Sequence, residues 1–99
     1  MYSRGKTISA HELVKLINSD SILLLDIRSQ TLFQQQHIAH SYHVPQENML
    51  TAVDNLLKKH QGKQVVIMNE SGMSPAALVQ HISKQKFTVF SLKGGIAQW

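Results

Sequence analysis

Two short stretches of the chain are apolar without interruption: Ile22-Leu23-Leu24-Leu25, inside the segment from Ser21 to Arg28, and Val65-Val66-Ile67-Met68. A strand whose successive side chains are all apolar has no face to offer water, so it must be covered on both sides. Each run leads through a polar loop into a segment with helical spacing. Central strands of a parallel sheet have this pattern, and the crossover helices between them supply the covering layers. The expected fold class is therefore α/β, with about five strands in a mostly parallel sheet and helices on both faces.

The flanking segments fill in that outline. Residues 7 to 18 begin with Thr7-Ile8, and Ser9 then stands three residues before Glu12, the spacing of a capping box, with Leu13, Leu16 and Ile17 at helical intervals. Ser29 is placed to cap a short helix over residues 30–36 that buries Leu32 and Phe33. Ser41-Tyr42-His43-Val44 reads as a brief strand stopped by Pro45. A longer helix is predicted over about residues 48–60, burying Leu50, Val53, Leu56 and Leu57, with Gly62 as its stop. After Met68 comes a polar loop, Asn69-Glu70-Ser71-Gly72-Met73-Ser74, and Pro75 opens a helix to about Gln85 that buries Ala77, Leu78 and Ile82. Thr88 to Leu92 is the last strand, and Lys93-Gly94-Gly95 turns into a final element from Ile96 to Trp99. In such sheets ligands bind where the carboxyl ends of strands meet helix N-termini, so the loop after Met68 is the expected site.

Ninety-nine residues form one domain, residues 1–99, around one hydrophobic core. None of them is cysteine. Disulfide scaffolds, Cys-ligated metal sites and any reaction using a thiolate of this chain are thereby excluded. Ten Lys and Arg against six Asp and Glu leave a formal charge of +4. The basic residues are scattered, with small groups at Lys58, Lys59, Lys63 and at Lys84, Lys86, and no aromatic residues interleave with them to stack bases. This reads as a solvated basic surface rather than a nucleic-acid site. No stretch approaches the roughly 18 apolar residues of a membrane span, and Met1-Tyr2-Ser3-Arg4-Gly5-Lys6 leads into polar residues rather than an apolar signal core. A cytoplasmic location away from membranes is expected.

Several residue groups now carry a resemblance: Leu24-Leu25-Asp26-Ile27-Arg28, Phe33, His37-Ile38 before His43-Val44-Pro45, a strand-loop-helix, and Leu92-Lys93-Gly94-Gly95-Ile96-Ala97-Gln98-Trp99. In order and spacing the chain resembles a rhodanese-like domain from about Thr7 to Trp99. Active rhodaneses resemble one another in a loop Cys-x-x-Gly-x-Arg, usually followed by Ser, whose Cys carries a persulfide sulfur. Aligning that loop by its glycine puts Gly72 on the Gly, Asn69 on the Cys, Ser74 on the Arg and Pro75 on the Ser. The resemblance implies the fold, and the departures remove the chemistry. Sulfur transfer needs a nucleophile that forms and releases an S–S bond, and the amide of Asn69 can only donate and accept hydrogen bonds. Ser74 lacks the loop cation, Pro75 lacks an N–H at the helix start, and Glu70 adds a negative charge, so affinity for anions is weakened. The related dual-specificity phosphatases use a longer loop with Cys and Arg, and that reading fails on both counts. Where the family often has Gly-His-Ile-Pro-Gly-Ala, this chain has Gln36-His37-Ile38-Ala39-His40-Ser41, and a turn with altered dihedrals is expected.

The resemblance assigns the active-site loop to Asn69, Glu70, Ser71, Gly72, Met73 and Ser74, with Asp26, Arg28 and His37 as candidate pocket rim and no catalytic residue. Asp26 is expected to accept backbone N–H groups from a neighbouring loop, Arg28 to pair on the surface, and His37 to brace its turn by a hydrogen bond. His37, His40 and His43 lie three apart, but in a loop entering a strand they point to different sides, so no metal site is expected. A serine hydrolase built from Ser71 or Ser74 would need an oriented base that the sequence does not place. Met49 and Met68 read as core fillers, and Met73 as a loop residue open to a partner. The function implied is a non-catalytic binding or regulatory module without cofactor, whose partner is a protein or a small sulfur-containing or oxyanion ligand. The alternatives are a sulfurtransferase that works through a partner's thiol, or whose loop cysteine has been replaced, and a small-anion sensor.

Overall fold

The computed structural model describes residues 6–70 and 74–94. Five strands, β1 (Lys6–Ile8), β2 (Ile22–Asp26), β3 (Tyr42–His43), β4 (Gln64–Met68) and β5 (Val89–Leu92), form one sheet in the order β1-β5-β4-β2-β3. Every pairing is parallel. Four α-helices connect them: α1 (Ala10–Asn18), α2 (Gln30–Gln35), α3 (Met49–Lys59) and α4 (Ala76–Ser83). The two uninterrupted apolar runs are the central strands β2 and β4, paired in register from Ile22↔Gln64 to Asp26↔Met68. The element expected over residues 96–99 lies outside the described residues.

The alternation of the strands divides the core into two layers. Leu23, Leu25, Val65 and Ile67 point to one face and pack with Val53 and Leu57 of α3 and Leu78, Val79 and Ile82 of α4. Leu24, Val66 and Met68 point to the other and pack with Leu13 of α1, backed by Leu16 and Ile17. Full burial of one such leucine contributes about 1.5–3 kcal/mol. This two-sided cover is what an unbroken apolar run requires.

Local signals set the helix starts. Ser9 Oγ accepts from Glu12 N at 3.1 Å while Ser9 N donates to Glu12 Oε1 at 3.2 Å, the reciprocal box its spacing predicts. Ser29 Oγ accepts from Leu32 N at 3.3 Å and starts α2, although Leu32 and Phe33 end up only partly buried. Two helix faces differ from expectation. In α3 the buried stripe runs through Met49, Ala52, Val53, Leu56 and Leu57, and Leu50 is exposed. At 100° per residue Leu50 lies about 90° from the centre of that stripe. In α4 Val79 is buried and Ala77 exposed, for the same angular reason, and Pro75 is the residue before the helix rather than its first.

In the turn before β3, His40 takes φ = +69°, the left-handed conformation a glycine favours, and it stands where the family resemblance places a glycine. A non-glycine residue holds this conformation at a cost. Replacing His40 by glycine is expected to raise stability by about 0.5–1 kcal/mol, read from urea unfolding midpoints at unchanged slope.

Candidate functional site

β2 leads through α2 to β3 on one side, and β4 leads through α4 to β5 on the other. The two connections diverge, so the carboxyl ends of these adjacent strands flank a topological switch point, the preferred place for a crevice in an open parallel sheet. A cleft of about 510 Å³ lies there. Arg28 and Ser29 enter it from the end of β2, Asn69 and Glu70 from the end of β4, and Gln46 from the turn before α3. Ile27, Leu32, Met49 and Pro75 supply apolar wall.

Arg28 is held from below. Asp26, fully buried, accepts Arg28 N at 3.0 Å and Nε at 3.1 Å on Oδ1, and Nε at 3.1 Å and Nη2 at 2.9 Å on Oδ2. Nη2 also donates to the Gln36 carbonyl at 2.6 Å. Hydrogen bonding to Asp26 raises the guanidinium pKa against the opposing effect of burial. Arg28 is 7% exposed, so it does not pair on the surface as expected, and Asp26 takes the Arg28 N–H rather than one from a neighbouring loop. The reason is geometric: residues two apart on extended chain share a side, and an arginine two beyond a buried aspartate can fold back on it. Above the guanidinium, Glu70 Oε1 lies 3.9 Å from Nη1, an ion pair too long to be a hydrogen bond.

The histidines serve the frame. His43 Nε2–H donates to the Arg28 carbonyl at 2.8 Å, and His37 Nδ1–H donates to the Phe33 carbonyl at 2.7 Å. Phe33 stacks on His37 at 3.9 Å and meets His43 at 4.9 Å. His37 braces its turn but does not border the cleft; it lines a separate shallow groove with Val14 and Ile38. Of the candidate rim, then, Arg28 lines the cleft, Asp26 supports it from beneath, and His37 is elsewhere. Among the described residues no group of three metal-ligating side chains converges.

Of the loop, Asn69 and Glu70 border the cleft, whereas Ser74 does not. Its side chain is buried and hydrogen-bonds the hydroxyl of Ser91 on β5. The position that resemblance assigns to the loop cation is thus turned into the protein, and its hydroxyl is engaged there. Ser71, Gly72 and Met73 lie outside the described residues. Gln46 was not singled out from sequence, and Met49 only as a core filler; the signal for their place at the cleft is Pro45, which follows β3 and returns the chain across the sheet's carboxyl end. The described side chains can orient, hydrogen-bond and pair with charge. None of those lining the cleft is a nucleophile with an oriented base.

Comparison with known proteins agrees with this geometry. The family model described as Rhodanese-like domain matches residues 9–99. The chain is 34% identical over 99 residues to the uncharacterized protein YibN of Escherichia coli K12, covering 98% of this chain and 68% of that protein. It is 31% identical to the thiosulfate sulfurtransferase GlpE of Coxiella burnetii, covering 100% of this chain and 88% of that protein. A rhodanese-like domain protein of Staphylococcus aureus superposes with a TM-score of 0.73 at 20% identity, covering 95% of this chain and 90% of that one. Fold, switch-point cleft and family match coincide, and the chain belongs to the rhodanese-like domain family while lacking that family's catalytic cysteine.

Proposed function

We propose that this chain is a non-catalytic rhodanese-like module that binds a partner at the cleft between Arg28 and Glu70. The observation that carries the reading is an ordered framework around a site with no thiol. Asp26 fixes Arg28, His43 fixes the Arg28 backbone, and the residue aligned with the nucleophile is Asn69 in a chain without cysteine. An amide cannot form the S–S bond that sulfur transfer requires. Glu70, facing Arg28, opposes a small oxyanion by charge and favours a partner that meets both signs, which a protein surface does more readily than thiosulfate.

The test is sulfur transfer from thiosulfate to cyanide. The folded chain is expected to turn over no faster than the unfolded one, and turnover above that control overturns the proposal. The likeness to a thiosulfate sulfurtransferase supports a second reading, in which the lineage's site persists without its cysteine. Asn69→Cys separates the two: persulfide formation at the new thiol favours the second reading, and its absence favours the first.

A further inference from the structure

A second cavity, of about 350 Å³, lies at the opposite end of the sheet from the cleft, where β2 and β4 begin. Strands of five residues put the two sites about 15 Å apart along the sheet. Ile22 and Leu24 of β2 form part of its apolar wall, and three polar rings, His40, Tyr42 and His60, converge on it. His37, His43 and His81 each direct a ring nitrogen at a protein acceptor. Among the described residues, the side chains of His40, Tyr42 and His60 make no hydrogen bond to the protein. Their polar atoms are left for a ligand or for water.

Three further features mark this cavity. Tyr42 and His60 meet at 5.4 Å and 59°, forming a corner rather than a closed stack, so each ring keeps a face open. Two full charges at the rim, Lys63 and Asp20, pair with each other at 3.2 Å and cancel. Burial, and then the nearby Lys63, hold His60 below its ordinary pKa, which leaves the ring neutral with one donor and one acceptor nitrogen. Asp20 at φ = +55° and His40 at φ = +69° are two of the three non-glycine residues with positive φ among the described residues, and both line this cavity; Asp20 closes α1, its N–H donating to the Ile17 carbonyl at 3.0 Å.

We propose that this cavity binds an uncharged planar heteroaromatic ring, stacked against Tyr42 and His60 over Ile22 and Leu24 and hydrogen-bonded at its edge by the free polar atoms of His40, Tyr42 and His60. A flat apolar body matches the wall, a polar edge matches the unengaged ring atoms, and a net charge would meet a rim already balanced. Ile17, Ile22 and Leu24 give the cavity one apolar wall, and His40, Tyr42, His60, Asp20 and Lys63 make the rest of the lining polar, a division that suits a ring with an apolar face and a polar edge. The site is separate from the cleft, so its failure leaves the function proposed above untouched.

The experiment is a titration of the full chain with adenine and with indole, followed by amide chemical shifts at neutral pH. Saturable shifts are expected at Leu24, Tyr42 and Lys63 and none at Asn69 or Glu70, with benzoate binding more weakly than either neutral ring. Tyr42→Ala is expected to weaken binding about tenfold, in keeping with loss of a stacking partner, and Tyr42→Phe only a few-fold. Tyr42 is exposed on a two-residue strand, and His60→Ala serves as a second variant outside the sheet. Adenine saturating more tightly than indole supports the proposal and points to a nucleobase as the source of the ring; the reverse supports it and points to an indole-like metabolite. No saturable shift with either probe, or equal affinity in Tyr42→Ala and His60→Ala, overturns it.

Discussion

Asp26→Ala is expected to destabilise the protein by about 3–5 kcal/mol, the cost of breaking a buried ion pair from one side. The variant removes all four hydrogen bonds that Arg28 donates to the carboxylate and leaves a guanidinium, 5% exposed at its side chain, facing, among the described residues, the Gln36 carbonyl and the more distant Glu70. Arginine cannot relieve this by losing its proton. Arg28→Ala should cost a similar amount, because it strands the fully buried carboxylate of Asp26. Replacing both together with apolar residues of similar volume, Asp26→Leu with Arg28→Met, should cost much less than either single change. Urea unfolding of the four proteins measures the coupling. If the double variant is as unstable as the sum of the singles, the pair is not the source of the effect.

The second large effect concerns the loop. Ser74→Arg, which supplies the cation that resemblance assigns to this position, is expected to cost at least about 3 kcal/mol. Ser74 is 4% exposed and bonded to Ser91, so a guanidinium there either enters the protein without a counter-ion or pulls the start of α4 off β5. Ser74→Ala keeps the size and loses the hydroxyl, leaving Ser91 without its partner, and should cost about 1–3 kcal/mol. A thermal melt that ranks Ser74→Arg as no worse than Ser74→Ala would show that the position opens easily toward the cleft. The functional corollary is that adding Arg at 74 to Asn69→Cys should lower the folded fraction rather than assist sulfur transfer.

The two central strands, the capping box of α1 and the place of a cleft at the carboxyl end of β4 were legible in sequence, because each follows from local spacing or from a topological rule. The family followed from motif order. β1 was not singled out as a strand, since Lys6–Ile8 with one buried side chain carries almost no period. The faces of α3 and α4 were misjudged at Leu50 and Ala77, where helical angle outranks side-chain type. Burial of Arg28 was missed for a different reason. Charge suggests water, and only the placement of Asp26 in a fully covered strand end shows that the guanidinium has a partner inside. His37 was assigned to the rim from motif proximity, and the stack on Phe33 carries it to another groove.

The length of the edge strand β3 has a consequence for how a partner can dock. β3 presents two residues, so this margin of the sheet offers an incoming chain only a stub of backbone donors and acceptors. Strand addition, which draws its affinity from a row of main-chain hydrogen bonds, has little to extend along β3. The same brevity hinders edge-to-edge pairing of copies through β3. In both proposals made above, recognition is instead a matter of side chains entering hollows, the cleft at one end of the sheet and the ring-lined cavity at the other.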